Sequence, residues 1–150
     1  MKSILGVDCG DVIFYTFSGT LLPDVLDGLK EIVDSGRFSE VYIVSKANFL
    51  MKGVFLFRLW RLDFWGRTGI ARDHIYFCRR PEDKAAICKK LAITDFVDDR
   101  LEVLYYLDQV SRRYALNPRR KKERMQFGEV LKKVKIVRSW KELVPQLVAD

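Results

Sequence analysis

Short apolar segments alternate with longer helical patterns along the chain, and this alternation constrains the fold more than any other feature. It predicts strands at 4–7, 41–44, 74–78, 96–97, 114–116 and 136–137. It predicts helices at 23–34, 48–65, 81–91, 101–110 and 139–148, with a break at 66–69. Alternating strands and helices are typical of a parallel sheet that carries helices on both faces. We therefore expect a three-layer α/β sandwich with a mostly parallel, Rossmann-like sheet.

The composition favours one soluble domain that covers residues 1–150. Of the 150 residues, 49% are hydrophobic and 31% are charged, which suffices for a sizeable core. The most apolar stretch, 47–65, contains four charged residues, so it does not resemble a membrane span. The odd number of cysteines, three, suits a reducing compartment, and the N-terminus does not resemble a signal peptide. We expect a cytoplasmic protein with no membrane partner.

Polar side chains follow three of the predicted strands. Asp8 follows the first strand, Ser45 the second, and the pair Asp98 and Asp99 the fourth. In open parallel sheets, ligands bind in the crevice outside the carboxyl ends of the strands. Adjacent carboxylates repel each other unless a cation or hydrogen-bond donors lie nearby. The sequence therefore predicts one cleft with a carboxylate, a hydroxyl and a carboxylate pair that favours a metal.

Four segments, in this order, resemble the motifs of the haloacid dehalogenase-like (HAD) superfamily of phosphatases and phosphotransferases. They are ILGVD (4–8), VYIVS (41–45), Lys84 at a helix start, and FVDD (96–99). Each motif alone is weak, but the ordered set is fairly specific, and the resemblance covers about residues 4–147. It implies the strand order 5-4-1-2-3, with Asp8 on the central strand.

The resemblance also implies the capless type of this superfamily. Cap domains in this superfamily are inserted after the first or second motif. Here the segments 12–22 and 46–72 leave room only for a loop and a helix. Capless relatives tend to act on bulky substrates. The substrate stays unassigned at this point, since a phosphorylated macromolecule and an accessible small phosphate both fit.

The resemblance assigns catalytic and substrate-binding roles to four residues. Asp8 would be the nucleophile that forms an aspartyl-phosphate, and Lys84 would offset the negative charge. Ser45 and Lys46 would bind the substrate phosphate. These roles suit phosphoryl transfer, in which catalysis consists mainly of positioning and electrostatic stabilisation.

The resemblance also implies a Mg²⁺ site. Its ligands would be Asp8, the backbone carbonyl of Gly10, and the pair Asp98 and Asp99. Of that pair, Asp99 is the expected direct ligand and Asp98 the supporting residue. Oxygen ligands of this kind suit Mg²⁺.

The chain departs from the superfamily pattern two residues after the nucleophile. Active phosphatases carry a second Asp there as general acid and base, whereas this chain has Gly10 and places a carboxylate at Asp11. Gly10 allows the loop to bend, so we expect Asp11 to enter the cleft as the proton-transferring group. The alternative is a catalytically impaired HAD-fold protein that serves in binding or assembly. A receiver domain fits less well, because its single phosphorylated Asp would follow a middle strand, where this chain has Ser45.

Two further features bear on partners. The segment 49–65 is rich in Phe and Trp, which favours either core packing or a homo-oligomer interface. The segment 112–138 holds eleven basic and two acidic residues, in a chain with a net charge of +7. Such a run is either a solvated helix and loop or a site for nucleic acid or another polyanion.

Overall fold

A computed structural model describes residues 2–149, and in this range six strands form one sheet. They are β1 (Ser3–Val7), β2 (Phe38–Lys46), β3 (Ile75–Cys78), β4 (Asp95–Asp98), β5 (Arg112–Leu116) and β6 (Lys135–Val137). Neighbouring strands pair in parallel, in the order β3-β2-β1-β4-β5-β6. The predicted parallel sheet and the implied order 5-4-1-2-3 are confirmed, and β6 extends the sheet beyond β5.

Seven α-helices and one short 3₁₀ helix, Gly128–Lys132, accompany the sheet within residues 2–149. The α-helices are α1 (Val25–Asp34), α2 (Phe49–Arg61), α3 (Phe64–Thr68), α4 (Asp83–Lys90), α5 (Leu101–Tyr106), α6 (Lys121–Gln126) and α7 (Trp140–Val148). Buried residues of α1, α2, α3 and α7 form one core with the sheet, and those of α4 and α5 belong to two further clusters. The predicted three layers are confirmed. Within the described residues, every helix is too short or too polar to cross a bilayer.

The predicted single helix at 48–65 is wrong, because the chain forms α2 and α3 with a turn between them. Asp63 takes a left-handed conformation, with φ of 50°, and so interrupts the helix. This turn lets Phe64 pack fully buried in the core. The predicted break at 66–69 is misplaced as well, since Gly66 lies inside α3 and the left-handed Gly69 follows its end.

Other predicted boundaries also shift. The first helix begins at Val25 rather than at residue 23, because Asp24 takes a left-handed φ of 66°. The helix predicted at 101–110 ends at Tyr106, and the chain then turns so that Val110 is buried. The basic segment contains α6 and the 3₁₀ helix, whose bounds the sequence did not predict because charged residues hide the apolar spacing.

The register of β1 against β4 decides where the functional residues lie. Val7 pairs with Val97, and the backbone N–H of Asp8 donates to the carbonyl of Val97 at 3.0 Å. A Cβ at Gly6 would lie 2.6 Å from the ring of Phe96, so only glycine allows this packing. Because the strands are parallel, the carboxylates that end β1 and β4 come out side by side at one edge of the sheet.

The aromatic segment is partly core and partly surface. Phe55 and Phe64 are buried, whereas Phe49 and Trp60 are 88% and 66% exposed. Core packing therefore accounts for only part of the aromatic content. The homo-oligomer interface through this segment stays a prediction.

The basic segment is likewise divided. Arg112 forms two hydrogen bonds of 2.8 Å with the carboxylate of Asp95, and Arg113 donates to the carbonyl of Leu104 at 2.6 Å. These two guanidinium groups are held by internal contacts. Polyanion binding by the rest of the segment stays a prediction.

Candidate active site

The centre of the site is a buried ammonium group between two carboxylates. Nζ of Lys84 donates to Oδ1 of Asp8 at 2.9 Å and to Oδ2 of Asp98 at 2.8 Å. Asp8 follows β1, Asp98 ends β4, and Lys84 is the second residue of α4. The Lys84 side chain is 1% exposed. The structure therefore brings together three of the residues that the sequence singled out.

The buried charges perturb one another. Burial alone lowers the pKa of Lys84, but the charges of Asp8 and Asp98 more than offset it, so that this pKa stands above its ordinary value. Burial, followed by the charge of Asp98, raises the pKa of Asp8 to about 6, although Lys84 opposes the rise. The ammonium is thus permanently charged, and Asp8 is largely ionised at neutral pH.

Asp98 and Asp99 differ in their surroundings although they are adjacent in sequence. Oδ1 of Asp98 accepts a hydrogen bond from the backbone N–H of Arg100 at 2.9 Å, and Oδ2 accepts the one from Lys84. Asp99 accepts no hydrogen bond from any side chain or backbone group in residues 2–149. Burial, together with the charges of Asp98, Asp8 and Asp11, raises the pKa of Asp99 to about 9. Asp99 is thus the carboxylate left without a partner.

Three carboxylates can hold a metal ion at this point. One oxygen from each of Asp8, Asp98 and Asp99 lies within 4.8 Å of the others. Hard oxygen ligands suit Mg²⁺, and a cation would relieve the repulsion that raises the pKa of Asp99. The residues present therefore fit a divalent cation. Gly10 lines the same cavity, and metal binding by its carbonyl stays a prediction.

The hydroxyl of Ser45 lacks a hydrogen-bond partner. Its Oγ is the one fully buried side-chain polar atom in residues 2–149 that has none. Ser45 lies near the end of β2, where it pairs with Phe77 of β3, and it lines the cavity that also contains Asp8 and Lys84. Buried polar groups in native proteins are nearly always paired, so an unpaired one at a cavity indicates a missing ligand atom.

The loop after β1 explains how the chain departs from the usual pattern. A Cβ at Gly10 would lie 2.6 Å from Oγ1 of Thr16 and 3.3 Å from the ring of Phe55, so this position has no room for a side chain. Asp11 takes a left-handed φ of 60°, and its Oδ1 accepts a hydrogen bond from the backbone N–H of Thr16 at 3.0 Å. Asp11 lines the same cavity as Asp8. Its role in proton transfer stays a prediction.

The cavity above these residues has a volume of about 400 Å³. Lys46, predicted to bind substrate, lies at its wall together with Arg79, Arg100 and Arg120. Negative charge at the centre of the cavity is thus surrounded by positive charge. Such an arrangement suits an anionic ligand that reaches the central lysine and carboxylates.

The comparisons with known proteins agree with this architecture. No protein-family profile and no curated protein matches the chain. Among solved structures, D,D-heptose 1,7-bisphosphate phosphatase from Burkholderia thailandensis superimposes with a TM-score of 0.68 at 13% identity, over 99% of this chain and 100% of that one. This chain has the HAD fold. A Burkholderia xenovorans LB400 protein described as a putative haloacid dehalogenase-like hydrolase superimposes with a TM-score of 0.59 at 14% identity. That match covers 92% of this chain and 64% of the other.

A third structure with the HAD fold is 3-deoxy-D-manno-octulosonate 8-phosphate phosphatase from Yersinia pestis. Its TM-score is 0.56 at 16% identity, and the match covers 98% of this chain and 78% of that one. The fold that the four sequence motifs implied is therefore confirmed. Identities this low establish the fold and leave the activity to the site itself.

Several residues of this HAD-fold cavity were not singled out from the sequence. Phe55 and Thr16 occupy the space beside Gly10, and the backbone N–H of Arg100 holds Asp98. Only the position of Arg100, two residues after Asp98, could have indicated such a contact. Arg120 also lines the cavity, but nothing in its sequence context distinguishes it from the other basic residues nearby.

Proposed function

We propose that this protein is a Mg²⁺-dependent phosphatase that hydrolyses phosphomonoesters through an aspartyl-phosphate on Asp8. The observation that carries the proposal is the buried Lys84 ammonium between Asp8 and Asp98. A permanently charged donor beside a carboxylate offsets the negative charge of an approaching phosphoryl group. The comparisons establish the HAD fold, and the proposal adds an activity for this site.

In this mechanism Asp8 acts as the nucleophile. With a pKa of about 6, its carboxylate is ionised at neutral pH and attacks the phosphorus atom. The bond from phosphorus to the ester oxygen breaks, and that oxygen takes a proton to leave as an alcohol. A water molecule then attacks the phosphorus of the acyl phosphate, which releases inorganic phosphate and restores the Asp8 carboxylate.

Two side chains position the phosphoryl oxygens, and three carboxylates would hold the metal ion. The unpartnered hydroxyl of Ser45 donates to one of them, and Lys84 attracts the others. Asp8, Asp98 and Asp99 would hold the Mg²⁺ ion, which supplies positive charge to the phosphoryl group as negative charge develops. Asp98, already fixed by two hydrogen bonds, serves as the supporting residue and Asp99 as the direct ligand.

Proton transfer falls to Asp11 in this proposal. It is the remaining carboxyl group of the cavity, and its contact with the backbone of Thr16 fixes its side chain. Asp11 would donate a proton to the leaving oxygen and take one from the attacking water. General acid–base catalysis of this kind contributes about 10²–10⁴-fold.

Hydrolysis of 4-nitrophenyl phosphate, with Mg²⁺ or with EDTA, tests the proposal. We expect Mg²⁺-dependent turnover by the wild type that is lost in Asp8→Asn and retained in Asp73→Asn, whose side chain is 90% exposed. Beryllofluoride and Mg²⁺ together should raise the melting temperature of the wild type but not that of Asp8→Asn. Absence of both turnover and beryllofluoride stabilisation in the wild type would refute the phosphatase.

One observation favours a second candidate, a catalytically impaired HAD-fold binding protein. The position that usually carries the proton-transferring carboxylate is Gly10, and Oδ1 of Asp11 is already engaged with Thr16. The variant Asp11→Asn distinguishes the two candidates. A fall in kcat of about 10²-fold or more supports Asp11 as acid and base, whereas unchanged slow turnover supports the impaired protein.

A further inference from the structure

The carboxyl edge of the sheet carries charge in a regular order. The central strands β1 and β4 are followed by acids, whereas on one side of them β2 ends in Lys46 and β3 is followed by Arg79. On the β5 and β6 side, the bases are Arg119 and Arg120 in the loop after β5, and Arg138 directly after β6. Because all six strands are parallel, these side chains belong to the same edge as Asp8 and Asp99.

These three arginines line a second cavity of about 210 Å³ beside the first. The two cavities share Asp11, Asp99 and Arg120, so they adjoin at the catalytic carboxylates. The acids that line the second cavity are the two shared ones. Away from that junction its charged groups are therefore all positive.

The arginines of the second cavity are free to bind a ligand. Within residues 2–149, the guanidinium groups of Arg119 and Arg138 have no carboxylate within 4 Å, and that of Arg120 has only a 3.9 Å contact with Glu123. The carboxylate of Glu142 contacts the backbone N–H of Arg138, at 3.1 Å. Glu123 is held more closely by Arg100, at 2.8 Å. Unpaired guanidinium groups that converge on one cavity are well suited to bidentate contacts with a phosphate group.

We propose that the second cavity binds a second phosphate group of the substrate, so that the preferred substrate is a bisphosphate. The proposal rests on the proposed function, since it assumes that the other phosphate lies over Asp8. Arg119 and Arg138 bind the phosphate that is retained, and the exposed Tyr15 and Pro23 supply the apolar wall beside the connecting carbon chain. Hydrolysis would then leave a monophosphate product, which is held by one of the two cavities only.

Flexible bisphosphates test this without knowledge of the natural substrate. Asp8→Asn protein in Mg²⁺ is titrated by calorimetry with alkanediol bisphosphates of increasing chain length and with the matching alkyl monophosphates. We expect the best bisphosphate to bind at least about tenfold more tightly than its monophosphate, since hydrogen bonds to charged groups are worth this much. Adding Arg119→Gln and Arg138→Gln should abolish the preference.

Lys121→Gln with Lys122→Gln is the matched control, because it removes the same charge from exposed positions of α6 outside both cavities. This control should keep the preference for bisphosphates. Equal affinity for both ligands at every chain length overturns the proposal, and so does an equal loss of preference in the two double variants. Aryl phosphate turnover by the wild type is measured separately, so failure of the phosphatase and failure of the second phosphate site are distinguishable.

Discussion

Nζ of Lys84 lies 2.8 Å from Oδ2 of Asp98, and this contact separates the roles of two adjacent acids. Asp98 is fully buried and hydrogen-bonded to the lysine that it shares with Asp8, whereas Asp99 has no such partner in the described residues. The pair therefore divides into one structural carboxylate and one that is available to a cation. This division underlies the first three predictions.

Lys84→Met should destabilise the protein and abolish turnover. The substitution leaves the buried carboxylates of Asp8 and Asp98 without their counter-charge, and losing one partner of a buried ion pair costs about 3–5 kcal/mol. Urea unfolding measures the free-energy change. Lys89→Met, at an exposed position of the same helix, is the control and should change stability little. A loss of stability in Lys84→Met no larger than in this control would contradict the buried pairing.

Asp99→Asn should have opposite effects with and without metal. In EDTA at neutral pH the wild type must protonate the buried Asp99 carboxyl when it folds, whereas asparagine is neutral in both states, so the melting temperature of Asp99→Asn should be higher. With Mg²⁺ present, the stabilisation that the ion gives to the wild type should be largely lost, because a ligand is missing. Thermal unfolding of both proteins in the two buffers measures this. Undiminished stabilisation of Asp99→Asn by Mg²⁺ would remove Asp99 from the metal site.

Stability in EDTA should fall as the pH rises. The native protein keeps the Asp99 proton up to a pKa of about 9, whereas the unfolded chain loses it near the ordinary value of 3.8. Between these values the native state binds more protons, so the free energy of unfolding decreases with increasing pH. The urea midpoint of the wild type, measured across this pH range, should fall as the pH rises. The midpoint of Asp99→Asn should fall less steeply. Equal slopes in both proteins would assign the effect to other groups.

Gly28→Ala and Gly53→Ala should change stability in opposite directions. A Cβ at Gly28 in α1 would lie 2.9 Å from Cγ2 of Val144 in α7, so alanine would force the two helices apart. Overpacking of this kind costs about 1–3 kcal/mol. Gly53 in α2 has nothing within 4 Å of the added atom, so alanine there should stabilise by about 1 kcal/mol through helix propensity. Urea unfolding of both variants measures the difference, and stabilisation by Gly28→Ala would contradict the close helix packing.

The fold could be predicted from the sequence because each strand and helix is indicated by the spacing of apolar residues within one short segment. The segments around Val7, Val44 and Val97 were each predicted as strands from a few residues, and their observed positions agree. The break between α2 and α3 was missed because it depends on burying Phe64 in a core built from distant segments. Likewise, the bounds of α6 were missed because charged residues mask its apolar spacing.

For the site, the sequence by itself determined which residues end the strands: Asp8, Ser45, and the pair Asp98 and Asp99. A parallel sheet places all such ends at one edge, so their proximity follows from the strand pattern. Only the tertiary structure decided that Lys84 contacts Asp98 and not Asp99, and that no side chain fits at Gly10. Those outcomes depend on packing between residues that are far apart in the chain. No local sequence pattern specifies the distance between two such residues to within a few ångströms.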